Sequence, residues 1–140
     1  MRYLIDTNII SFALRKRYAV ENRLQGITKT DLLLSAVVFA EGMAGAYRSQ
    51  NPEALTKLWR SYITGWEVVA FDAACADHYG RIRADLERRG TMIGHRDCQI
   101  AATALAYAQT EGVSVTVVTD NINEFKRVAG LKVANWVKRL

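Results

Sequence analysis

The chain has 140 residues, 50% of them hydrophobic, with 19 Lys and Arg against 14 Asp and Glu for a formal charge of +5. Length and apolar content suit one core-forming domain over 1–140; one proline and nine glycines leave no linker or disordered stretch. The longest uncharged apolar run, Leu32 to Ala40, is far short of the roughly 20 residues of a membrane span. An acidic side chain as early as Asp6, with no secretory h-region, speaks against a cleaved signal peptide. Cys75 and Cys98 lack metal or redox spacing and read as small buried side chains, so a cytoplasmic protein is expected. The modest basic excess suits an acidic partner such as a polynucleotide, and equally suits simple solubility.

Apolar runs of strand length alternate with stretches of helical period, the pattern of a parallel sheet flanked by helices. Tyr3–Ile5 reads as a first buried strand, followed by a helix over Asn8–Leu14 that ends at the basic cluster Arg15, Lys16 and Arg17. Leu32–Leu34 is a second buried strand, and Ser35 can cap a helix over Ala36–Tyr47. Pro52 suits the first turn of a helix through Leu55, Leu58 and Trp59. Glu67–Ala70 is a third strand, and Asp72 can cap a long amphipathic helix that ends at Gly90. An alanine-rich helix spans Asp97–Gln109, and Val113–Thr119, rich in β-branched residues, is the clearest strand. A helical turn over Asn123–Val128 and a strand over Lys132–Asn135 complete the order.

In an open parallel sheet, ligands gather where the strands end. Asp6 follows the first strand and Asp120 follows the strand ending at Thr119. Glu41 shares a helical face with Val37, Ala44 and Gly45, and Asp97 heads the face continued by Ile100, Ala101 and Ala104, so both are expected to point inward. A carboxylate aimed inward must be hydrogen-bonded, paired or bound to a cation. Taken singly, each acid can be a helix cap or half of an ion pair. Taken together, carboxylates about 4 Å apart repel by roughly 4 kcal/mol per pair at an effective dielectric near 20, which a hard cation would relieve. All-oxygen ligation points to Mg²⁺ or Mn²⁺, while His78, on the charged side of its helix, and His95, in a loop, are not expected to be ligands.

Four ordered motifs carry a resemblance from end to end: Tyr3-Leu4-Ile5-Asp6-Thr7-Asn8-Ile9-Ile10, Ser35-Ala36-Val37-Val38-Phe39-Ala40-Glu41, Asp97-Cys98-Gln99-Ile100-Ala101-Ala102, and Val118-Thr119-Asp120-Asn121 leading to Glu124-Phe125 and Gly130-Leu131. The chain resembles the PIN-domain ribonucleases, specifically the VapC toxins of bacterial toxin-antitoxin pairs. The resemblance implies an α/β/α sandwich with a central, mainly parallel sheet, a Mg²⁺-dependent endoribonuclease activity, a small cognate antitoxin that covers the active site, and a homodimer. It makes Asp6, Glu41, Asp97 and Asp120 the expected catalytic acids, Asp6 and Asp97 the expected metal ligands, and Thr7 and Asn8 residues that orient them.

One motif departs from part of the family, which carries an acid two residues after the strand-ending Thr. Asn121 stands there, with the acid one place earlier at Asp120, so the fourth position stays open among Asp120, Asn121 and Glu124. Arg15, Lys16, Arg17 and Arg96 are candidate RNA contacts, with Arg81, Arg88 and Arg89 behind them; Arg96 leads because it adjoins Asp97. Trp59 and Trp66 suit a core or an interface equally. The alternative function is a catalytically silent nucleic-acid-binding PIN-like module, against which the inward-facing acids argue.

Overall fold

The computed structural model describes residues 1–139. Five strands, β1 (Arg2–Ile5), β2 (Leu32–Ser35), β3 (Glu67–Val69), β4 (Val115–Val118) and β5 (Lys132–Ala134), form one sheet in the order β3-β2-β1-β4-β5. Every pairing is parallel, so the sheet expected to be mainly parallel is wholly so. Successive residues Leu4 and Ile5, Leu33 and Leu34, and Val117 and Val118 are fully buried. Burial at consecutive strand positions means that both faces of the sheet are covered.

The cover consists of α1 (Thr7–Leu14), α2 (Val20–Gln25), α3 (Ala36–Arg48), α4 (Pro52–Tyr62), α5 (Ala73–Arg89), α6 (His95–Glu111) and α7 (Ile122–Phe125). The expected caps form. Ser35 Oγ accepts from the Val37 amide at 3.1 Å, and Asp72 Oδ1 accepts from the Cys75 amide at 3.1 Å. Asn51 Oδ1 caps α4 through the Ala54 amide at 3.4 Å, one residue before Pro52. Gly90 ends α5 at a φ of +67°, a conformation that favours glycine. No helix among the described residues is long and apolar enough to cross a membrane.

The structure differs from the sequence expectation at several places: β4 begins at Val115 rather than Val113, and α7 ends at Phe125 rather than Val128. Helix α6 starts at His95 rather than Asp97, so His95 lies on its first turn instead of in a loop. Helix α2 was not expected. The corner leading to it places Lys16, Tyr18 and Ala19 at φ values of 56–58°, a left-handed turn built without the glycine that would have announced it.

Helix α3 buries Val38, Gly42 and Ala46, a stripe at four-residue spacing. Glu41 therefore flanks the buried stripe rather than lying in it, and its side chain is 39% exposed, which corrects the expectation of a fully inward carboxylate. The stripe meets Trp59 of α4, a core residue at 5% exposure, while Trp66 is half-buried against Tyr62. At Gly42 a Cβ would lie 2.6 Å from the Trp59 ring. Alanine would gain about 0.5–1 kcal/mol of helix preference over glycine, but the clash with a buried ring outweighs it. Gly42→Ala should therefore lower unfolding free energy by about 1–3 kcal/mol in urea titration.

Candidate active site

Strands β2 and β3 extend the sheet on one side of β1 and β4 and β5 on the other, so the chain reverses its direction of growth between β1 and β4. A crevice opens at the carboxyl ends of the strands at such a switch point. The Asp6 amide donates to the Val118 carbonyl at 2.9 Å, which carries the β1–β4 pairing up to the residue that leaves the sheet. Asp6 then caps α1, its Oδ1 accepting from the Thr7 amide at 2.7 Å. Its Oδ2 accepts from the Thr119 hydroxyl at 2.7 Å and the Asn8 side-chain amide at 3.4 Å. Asp6 is fully buried.

The first turn of α6 brings Asp97 to the same edge at 8% exposure, with Oδ2 accepting from Asn121 Nδ2 at 2.8 Å. Glu41 reaches in from α3 and accepts from the Thr7 hydroxyl. Thr7 and Asn8 thus touch the acids they were expected to orient. Thr119, read from the sequence only as the end of a strand, is a further donor to Asp6, and its own Oγ1 accepts from the Asn121 amide at 2.9 Å. A hydroxyl at the carboxyl end of a fully buried strand was the available signal.

The positive charge at the centre is Arg96. Its Nη2 lies 2.5 Å from Asp6 Oδ1 and its Nε 2.6 Å from Glu41 Oε2, and Nη1 donates to Asp97 Oδ1. Burial opposes the charge on this guanidinium, but the carboxylates of Asp6, Glu41 and Asp97 overcome that and hold its pKa above the usual arginine value. Asp97 is pushed the other way. Burial lifts its carboxyl above the ordinary range, Arg96 only partly offsets this, and Asp6 and Glu124 lift it further. At this edge three carboxylates, Asp6, Glu41 and Asp97, share the one guanidinium. Glu124 contributes a buried Oε2 that has no hydrogen-bond partner.

These groups fit a divalent cation by the chemistry of the donor set: carboxylate oxygens, an excess of negative charge, and a cationic side chain already drawn among them. Neither histidine joins them. His78 bonds Gln109 at 2.8 Å, and His95 Nδ1 lies 2.5 Å from the Tyr79 hydroxyl. Both cysteines are free and buried.

Asp120 faces elsewhere. Arg139 binds it through two contacts at 2.8 and 2.7 Å, and Asn135 donates to it at 3.0 Å. Only its backbone amide turns to the site, donating to Asn8 Oδ1 at 3.3 Å. Among the candidate RNA contacts, Arg15, Lys16 and Arg17 are exposed on the corner after α1, whereas Arg81, Arg88 and Arg89 pair with Asp77 and Asp85 of their own helix. The Arg139 hydrogen bonds hold the Asp120 carboxyl below the usual range against a smaller opposing effect of burial, and Asn135 adds to the lowering. A depressed folded pKa gives stability that is present above the unfolded carboxylate value of about 4 and lost as pH falls through the folded one. Asp120→Asn should therefore melt with a shallower loss of Tm in the acid range than the parent chain.

Comparison with known proteins agrees with this geometry. The PIN-domain family profile matches residues 3–131. Ribonuclease VapC2 of Rickettsia felis is 34% identical, over 99% of this chain and 100% of that protein. The tRNA(fMet)-specific endonuclease VapC of Shigella flexneri is 32% identical, over 97% and 98%. Among solved structures, VapBC2 from Rickettsia felis bound to a DNA fragment from their promoter superposes with a TM-score of 0.84 at 34% identity, covering 97% of this chain and 99% of that one. With its sheet order, its acidic switch point and these relatives, the chain belongs to the PIN-domain family, among the VapC ribonucleases.

Proposed function

We propose that residues 1–140 act as a single-domain endoribonuclease, the toxin of a toxin-antitoxin pair, and that Asp6, Glu41 and Asp97 carry the reaction. One observation supports this most strongly: three carboxylates from the end of β1, α3 and α6 converge on the carboxyl edge of the sheet, and among the described residues Arg96 alone pairs with them. A stability role alone would not call for such an arrangement, since paired buried charges are at best a weak source of stability.

PIN-domain ribonucleases depend on a divalent metal; for this chain we take the ion to be Mg²⁺, with Mn²⁺ able to substitute. Asp6 and Asp97 would hold it, and when bound it supplies Lewis-acid activation of water and neutralisation of phosphate charge. The chain's own groups do the rest. The Thr7 amide and the Thr119 hydroxyl lock the Asp6 carboxylate in one orientation, and Asn121 does the same for Asp97. Glu41, the most solvent-accessible of the three acids, would take the proton of the attacking water as the water oxygen bonds to phosphorus, and the P–O bond to the ribose breaks with the leaving oxygen protonated from solvent. At the fourth position, Asn121 and Glu124 stand toward Asp97, and Asp120 anchors the segment ending at Arg139. Positioning and charge neutralisation are the main contributions of the protein.

The VapBC complexes among the structural relatives support a small cognate antitoxin as partner, and we take it to cover this edge. An RNA substrate suits work in the cytoplasm, and the expected homodimer would show as twice the chain's mass in solution.

Incubation of the purified chain with total RNA tests this reading. Cleavage should require Mg²⁺, stop with a chelator, and fall by about 100-fold or more in Asp6→Asn and Asp97→Asn, whereas Asp120→Asn should stay within a few-fold of the parent. Cleavage that survives chelation or Asp97→Asn would contradict the assignment, and intact RNA under all conditions would favour a binding module.

A further inference from the structure

Arg96 makes four contacts at the mouth of the crevice: Asp6 at 2.5 Å, Glu41 at 2.6 Å, Asp97, and the Thr7 hydroxyl at 3.1 Å. A guanidinium is suited to this, since its planar fork can meet carboxylates on several sides at once. Its side chain is 34% exposed, while Asp6 beneath it is sealed from solvent. With the guanidinium seated between them, no three Asp, Glu, His or Cys side chains among the described residues are close enough together to hold a metal ion as they stand.

We propose that Arg96 is a displaceable internal counter-ion: it occupies the cation position of the metal-free site, and an incoming divalent cation must expel it. The inference rests on the metal-dependent reading above. A guanidinium and a dication compete for the same oxygens, because only one can lie between Asp6 and Asp97. The exchange favours the dication, since it replaces one positive charge with two where three carboxylates, Asp6, Glu41 and Asp97, meet a single guanidinium. The exit is open, because Arg96 lies on the first turn of α6 with a third of its side chain already in solvent. Once expelled, its charge is free to meet the phosphodiester that the metal attracts. The same side chain thus keeps the carboxylates assembled without metal and weakens metal binding while it does so.

Those two effects have opposite signs, which separates this role from a merely structural one. Metal-stripped parent chain, Arg96→Gln, Arg96→Lys and Arg60→Gln, in which an exposed arginine of α4 is removed as a control for net charge, are titrated with Mn²⁺ in a calorimeter and melted with and without it. Arg96→Gln should bind Mn²⁺ about tenfold or more tighter than the parent, melt lower than the parent when metal-free, and recover most of that difference at saturating Mn²⁺. Arg96→Lys, which keeps the charge but cannot span three carboxylates, should fall between and stands in should metal-free Arg96→Gln fail to fold, and Arg60→Gln should match the parent. Equal or weaker Mn²⁺ binding by Arg96→Gln, or by Arg96→Lys if that variant must stand in, overturns the inference and leaves the metal-dependent reading intact. No Mn²⁺ binding by any of the proteins overturns both.

Discussion

A carboxylate that water cannot reach has to be matched by donors and by positive charge, and the carboxyl edge of this sheet is arranged around that requirement at Asp6. Removing it from solvent costs several kcal/mol unless it is matched. The Thr7 amide, the Thr119 hydroxyl, the Asn8 amide and the Arg96 guanidinium all converge on its two oxygens. They come from the first turn of α1, the end of β4 and the first turn of α6, so Asp6 ties the end of β4 and the start of α6 to the junction of β1 and α1. A site assembled this way is rigid where the ligand-holding groups lie, which is the preorganisation that phosphoryl chemistry needs.

The sheet topology makes the convergence possible. Because β1 and β4 are neighbours although far apart in sequence, Asp6 and Thr119 come together at the point where the sheet changes direction. Helix α6 then delivers Arg96 and Asp97 as consecutive residues of its first turn, one cation and one anion aimed at the same crevice. The acids that shift the Asp97 carboxyl upward and the arginine that restrains it belong to one balance. Under the proposed metal-dependent reading, stability and function pull against each other there, since the carboxylates a cation would use must be held together by Arg96 without it.

Much of this was legible in the sequence. Strand-length apolar runs followed by capping residues placed β1, β2, α3 and α5 within a residue or two, because Ser35 and Asp72 make the local hydrogen bonds their types favour. Asp6 was legible as the acid that follows the first strand and Asp97 as an acid aimed inward from its helix, and both are buried. Less was visible where long-range geometry decides. The corner at Lys16–Ala19 adopts left-handed backbone without glycine, so α2 left no signal. Glu41 was expected to be wholly inward, but the buried stripe of α3 runs one position over, through Gly42 against Trp59. Arg96 read as an RNA contact by its adjacency to Asp97, and only the fold shows that Asp6 and Glu41 meet it from 90 and 55 residues away. Asp120 stood beside the correct strand end, yet Arg139, at the far end of the chain, claims its side chain.

On the reading proposed here, the carboxyl edge between β1 and β4 is a cation site which the chain fills itself until a metal arrives. The most direct measurement is the anomalous difference map of crystals grown with Mn²⁺. A peak is expected in contact with the Asp6 and Asp97 carboxylates, with the Arg96 guanidinium withdrawn from between them. A map with no peak at that edge and Arg96 still bridging Asp6, Glu41 and Asp97 would contradict it.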